Sequence, residues 1–225
     1  MRSLEPLIDR PPYRIDLIPG TSADLVLSFA SIGHDATRPP SPEFIRSASA
    51  DNRPALFILD ASRSWATARG FAEAVGEAVA LLRARQVIER TLAIGSSMGA
   101  FMALRAGEVL PLTAILAISP QHQPSAATET RWREWTAALP ESLTAPLPLG
   151  PQIILLHGMQ DDREQALAFP QRPGVDHILF PDQTHSALAA HLKARGVTLG
   201  LIEAALSQDR RRLLRILRSA GGERR

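Results

Sequence analysis

A chain of 225 residues and 24.4 kDa, 45% apolar and 21% charged, is long enough for one sizeable core and short for two, which excludes a disordered or fibrous protein. The absence of cysteine excludes disulfides, thiolate zinc sites and cysteine nucleophiles together. Net charge is only +2, and the pI of 9.9 owes much to one local stretch without aromatics, "DRRRLLRILRSAGGERR" (209 to 225), so nucleic acid is not an expected partner.

The first residues, "MRSLEPLIDRPP", set acidic residues and prolines where a secretion signal needs an apolar segment. No run approaches 18 consecutive apolar residues, so a cytoplasmic protein with no integral membrane association is expected. "YRIDLIP" (13 to 19) and "DLVLSFA" (24 to 30) flank "GTSA" and predict a hairpin of two strands. The apolar runs "ALFILD" (55 to 60), "TLAIG" (91 to 95) and "TAILAIS" (113 to 119) predict three more, separated by helical patterns at 66 to 85 and 98 to 108. "QIILLHG" (152 to 158) and "DHILFP" (176 to 181) each predict a strand followed by a helix, and a long basic helix closes the chain at about 197 to 219. Near-continuous apolar strands alternating with helices imply an α/β fold with a mostly parallel central sheet covered on both faces.

The whole chain, 1 to 225, reads as a single domain. Its one long irregular segment, about 120 to 151, is a candidate for a short lid, with a helix inside "TETRWREWTAAL". Trp132 and Trp135 share a face of that helix and either dock it or line a pocket.

Gly95-Ser96-Ser97-Met98-Gly99 fits G-x-S-x-G between a buried strand and a helix, the context in which that serine occupies a strained turn and presents its hydroxyl. Ser97 is therefore the candidate nucleophile, and the Met98 N–H, at the start of the helix, a candidate oxyanion donor. A serine hydroxyl needs a base. His185 follows the last predicted strand directly, on its exit loop, whereas His191 falls inside the ensuing helix and His34, His122, His157 and His177 precede that loop.

For the acid that orients the histidine, Asp161 in "HGMQDD" is preferred, with Asp162 as the alternative and Asp182 third; Asp162 is also placed to cap the next helix. The second oxyanion donor falls to the N–H of Ala30 or Ser31, after the strand 24 to 30.

With these residues in place, the chain from about residue 13 to 206 resembles the α/β-hydrolase superfamily, with a reduced or absent lid. More narrowly, "SFASIG", "PPSPEFIRS", "LFILDASRSW", "IGSSMGAFMALRAG" and "AISPQHQP" are similar to a group of bacterial hydrolases linked to surface-polysaccharide synthesis. In that group an aromatic often follows the tryptophan of the "SW" element, where Ala66 stands here.

The resemblance implies a serine hydrolase, in the first place a carboxylic-ester hydrolase acting through an acyl-enzyme on a small acyl or carbohydrate ester, with no metal or organic cofactor. It implies that Trp65 or Arg63, and Gln121 and His122, line the substrate pocket. An acyltransferase using the same triad, or a non-catalytic binding protein that docks through its basic C-terminal helix, are the alternatives; oligomeric state is open.

Overall fold

The computed structural model describes residues 3–33, 35 and 37–225; His34 lies outside them. Among the described residues nine strands form one sheet: β1 (Glu5–Arg10), β2 (Tyr13–Ile18), β3 (Asp24–Phe29), β4 (Ala55–Asp60), β5 (Arg90–Ser96), β6 (Ala114–Ile118), β7 (Gln152–Gly158), β8 (Val175–Phe180) and β9 (Glu223–Arg224). Their spatial order is β1-β2-β4-β3-β5-β6-β7-β8-β9. The central six, from β4 to β8, run parallel, and antiparallel β1, β2 and β9 border them.

The apolar runs are continuous because both faces are covered. Leu25, Leu27 and Phe29 of β3 point to one layer and Val26 to the other; Ala93 of β5 and Leu92 and Ile94 divide in the same way. The first layer carries the helices α2 (Phe71–Arg83) and α3 (Met98–Val109). The second carries α1 (Ile45–Ala48), α6 (Leu188–Ala194), α7 (Thr198–Leu206) and α8 (Arg210–Ser219). Between β6 and β7 lies the one-turn α4 (Arg133–Thr136), and α5 (Arg163–Ala168) follows β7. Among the described residues no helix is long and apolar enough to cross a membrane.

Two expected elements are built differently. β2 and β3 are not a hairpin: β2 pairs with β4, and β3 lies on the far side of β4. The "GTSA" segment instead passes against the chain entering β4, where Thr21 and Ser22 N–H both donate to Asn52 C=O at 2.9 and 3.1 Å. A Cβ on Gly20 would lie 2.3 Å from that same oxygen, so glycine permits the crossing. The partner that turns with β2 is β1, joined through Pro11-Pro12.

The C-terminal helix is two helices. Gln208 at φ 55° ends α7, and Asp209 caps α8 by accepting the Arg212 N–H at 2.9 Å. Leu213 and Leu217 of α8 are buried in the second layer, while Arg210 pairs with Asp176 and Arg212 with Glu203. This helix therefore packs its apolar face against the second layer.

Candidate active site

Ser97 stands at the end of β5 and the start of α3, with φ 54° and ψ −121°. Non-glycine residues avoid that conformation, and its neighbours make it obligatory. A Cβ on Gly95 would lie 2.2 Å from the carbonyl of Gly99, and one on Gly99 would lie 2.2 Å from the Phe29 oxygen. The glycines let α3 begin against the ends of β5 and β3, so the chain must turn sharply between them. Ser97 N–H continues the sheet ladder to Ile118 C=O at 2.9 Å, and the side chain projects over the strand ends, 7% exposed.

His185 leaves the loop after β8 and meets it. Ser97 Oγ lies 2.9 Å from His185 Nε2, and His185 Nδ1 lies 2.7 Å from Asp162 Oδ2. An ionised carboxylate only accepts, so Nδ1 carries the proton and Nε2 is the acceptor for the serine hydroxyl. Burial opposes ionisation of Asp162, but its hydrogen bond to His185 and the His185, His157 and Arg131 charges outweigh that and hold its carboxyl below the usual range. The chain of contacts is nearly closed to water, with His185 3% and Asp162 1% exposed.

The aspartate that meets the His185 ring is Asp162 and not the expected Asp161. Asp161 Oδ1 accepts the backbone N–H of His185 at 2.6 Å, and Asp162 alone of the two holds the ring. The loop after β7 is so short that its second aspartate faces the histidine ring while the first faces the chain on either side. Asp162 is also the residue preceding α5, but its side chain makes no cap bond there. Behind both carboxylates stands Arg131, with Nη2 2.9 Å from Asp162 Oδ1, Nη1 3.4 Å from Asp161 Oδ2 and Nε 2.9 Å from the buried Glu129.

Of the oxyanion donors, the Met98 N–H is at the first helical position, where a helix offers no acceptor of its own. Ala30 is excluded, because its N–H extends the β3–β4 ladder to Ile58 C=O at 3.0 Å. Ser31 remains, and its N–H donates to the Glu43 carboxylate at 3.2 Å, as does its hydroxyl.

None of Trp65, Gln121 and His122 lines the cavity beside Ser97. Trp65 is fully buried, and its indole N–H donates to Gln121 Oε1 at 3.2 Å. Gln121, also fully buried, donates from Nε2 to Ser97 Oγ at 3.3 Å from beneath. His122 lies edge-on to Phe169, and burial lowers its pKa. Arg63 is buried too, tethering the carbonyls of Ile32, Asp35 and Arg38 with its guanidinium 4.7 Å above the Trp135 ring. Trp132, in contrast, lies 5.1 Å from the His185 ring and lines the cavity, which measures about 750 Å³. Thus one tryptophan of the pair docks the segment and the other reaches the site. Among the described residues no separate lid stands over the strand ends.

No protein-family model matches the chain, and no curated protein matches it in sequence. Solved structures do resemble it. An esterase of Pyrococcus furiosus superposes with a TM-score of 0.61 at 16% identity, covering 91% of this chain and 92% of that one. The capsule O-acetyltransferase of Neisseria meningitidis serogroup A gives 0.59 at 15%, covering 87% and 93%. A lidless α/β serine hydrolase of Xanthomonas campestris gives 0.52 at 14%, covering 87% and 91%. At such identities the likeness is one of fold: the chain has the α/β-hydrolase fold.

Proposed function

We propose that this protein of the α/β-hydrolase fold is a serine esterase working through an acyl-enzyme, with Ser97 as nucleophile, His185 as base and Asp162 as the residue that orients it. The supporting observation is the unbroken chain Ser97 Oγ, His185 Nε2, His185 Nδ1, Asp162 Oδ2, with both links at 2.9 Å or less. In this reading the serine proton passes to Nε2 as Oγ attacks the ester carbonyl, and the imidazolium, stabilised by Asp162, returns a proton to the leaving alcohol. Water then attacks the acyl-serine with His185 again as base. The Met98 N–H, at the positive end of α3, receives the developing oxyanion, joined by the Ser31 N–H once the carbonyl oxygen takes the place of Glu43. These residues need no metal or organic cofactor for the steps.

Acyl transfer is the second outcome of the same acyl-enzyme, with a sugar hydroxyl in place of water. The O-acetyltransferase among the fold's neighbours keeps this reading alongside the first, and product analysis with a candidate acceptor present separates them. The test of the shared step is a fluorophosphonate probe, which should label wild-type protein at Ser97 and leave Ser97→Ala blank. Equal labelling of the two proteins would end the proposal.

A further inference from the structure

We propose that the cavity beside Ser97 takes an ester bearing an anionic group, a phosphate or a carboxylate, held by Arg46 and Lys193. The inference rests on the serine-esterase reading for the reacting end of the substrate and on the charges of the cavity for the other end.

Lys193 is the only lysine in the chain, and it lines this cavity from α6. Arg46 lines it from α1. Between them the wall is largely apolar, with Ile32, Phe44, Ile45, Ala189, Ala190 and Trp132. Arg46 and Lys193 are both exposed; what sets them apart from the other cations is that they line the same cavity as Ser97 and His185. Among the described residues neither Arg46 nor Lys193 has a carboxylate partner.

The negative groups near them are already committed. Glu43 lines the cavity but is hydrogen-bonded to the Ser31 N–H and hydroxyl, and Asp161 and Asp162 stand behind His185 against Arg131. The cavity thus carries two cations against the single Glu43 carboxylate, a net positive balance that favours an entering anion. A planar guanidinium and a compact ammonium on separate elements suit one anion with several oxygens, which can accept from both. An ester of a phosphorylated or acidic alcohol places such a group away from the reacting carbonyl, within a cavity of about 750 Å³ that also holds Ser97 and His185.

The experiment compares phenyl acetate with 4-acetoxyphenyl phosphate and 4-acetoxybenzoate. Wild-type protein should prefer one or both anionic esters by about tenfold or more in kcat/KM, and the two arms show whether phosphate or carboxylate is favoured. In Arg46→Ala and Lys193→Ala that preference should fall severalfold, in the double variant close to one, and 0.5 M salt should reduce it. Lys193→Arg, which keeps the charge, should retain it, and Lys193→Glu should reverse it.

A binding readout needs no turnover. In Ser97→Ala, acylation of Lys193 by an N-hydroxysuccinimide ester, followed by peptide mass spectrometry, should be slowed by phenyl phosphate or benzoate and not by phenol. A wild-type preference near one, with no protection of Lys193, overturns the inference while fluorophosphonate labelling of Ser97 leaves the esterase reading standing. Protection of Lys193 in a protein that neither labels nor hydrolyses any ester would sustain the anion site and end the esterase reading.

Discussion

At Ser97 the backbone conformation costs a non-glycine residue on the order of 1–3 kcal/mol, and the two close-approach glycines hold it there. That much was legible in five letters, because the glycines fit only one geometry between a buried strand and a helix. The acid was not. Asp161 and Asp162 are adjacent, and which of them turns toward His185 depends on a loop whose course no local pattern specifies. The two roles predict different losses. Asp162→Asn removes the acceptor that fixes the His185 tautomer and should lower kcat about 10³- to 10⁴-fold. Asp161→Asn leaves an oxygen to accept the His185 N–H and should lower it less than tenfold. Steady-state kinetics on one activated ester decides, and equal losses would contradict the assignment. Glu43 had no sequence signal at all, since it acts through a contact 12 residues away. Its carboxylate sits on the Ser31 N–H and opposes a developing oxyanion there, so Glu43→Gln should raise kcat/KM for phenyl acetate severalfold. A decrease would mean that Glu43 has a supporting part in the site.

The segment between β6 and β7 shows how one side chain can hold a whole element. It has a single helical turn, yet Trp132, Trp135, Leu139, Leu143 and Leu147 pack on the core, and Arg131 fastens its middle to Asp162. Arg131→Met would keep much of the aliphatic stem and leave Glu129 and Asp162 without their cation. Breaking such a pair by removing one partner costs about 3 kcal/mol or more. The expected results are a lower unfolding midpoint, faster amide exchange in residues 125 to 140, and a fall in kcat as Trp132 loses its seat on His185. Exchange unchanged in that segment would show that its apolar contacts suffice. Elements of this kind escape sequence reading for a physical reason. Strands buried on both faces announce themselves as apolar runs, and all seven apolar runs coincide with strands to within a residue. A segment fixed by scattered apolar contacts and long-range ion pairs has no periodicity to read. The same limit explains the misplaced hairpin: the turn-like "GTSA" is set by the Asn52 carbonyl, more than 30 positions along the chain.

At the scale of the molecule, the far strands are joined by a buried polar line that the chemistry does not use. Arg225 Nη1 lies 3.4 Å from His177 Nδ1, His177 Nε2 lies 2.9 Å from His157 Nδ1, and His157 Nε2 lies 2.9 Å from the Pro120 carbonyl. Since that carbonyl can only accept, His157 carries its proton on Nε2 and takes one from His177, which takes one from Arg225; both rings are satisfied while neutral. Burial is the main reason that His157 is pushed down to about 4, and burial, aided by the His157 and Arg225 charges, pushes His177 to about 3. Both native values lie below the ordinary histidine value of 6.5, so the unfolded chain binds protons first as pH falls. The stability held by neutral histidines is therefore complete above pH 6.5, declines below it, and is exhausted only near pH 3 to 4. By pH 5 each histidine should have cost about 2 kcal/mol, about 4 kcal/mol together, lowering the urea midpoint by about 1.5 to 2 M relative to pH 7. His177→Gln, whose amide donates to His157 in place of the ring, should roughly halve that slope. A midpoint flat from pH 7 to 5 would mean that the pair is not held neutral, and so that the line from Arg225 to the loop beneath Ser97 is open to water.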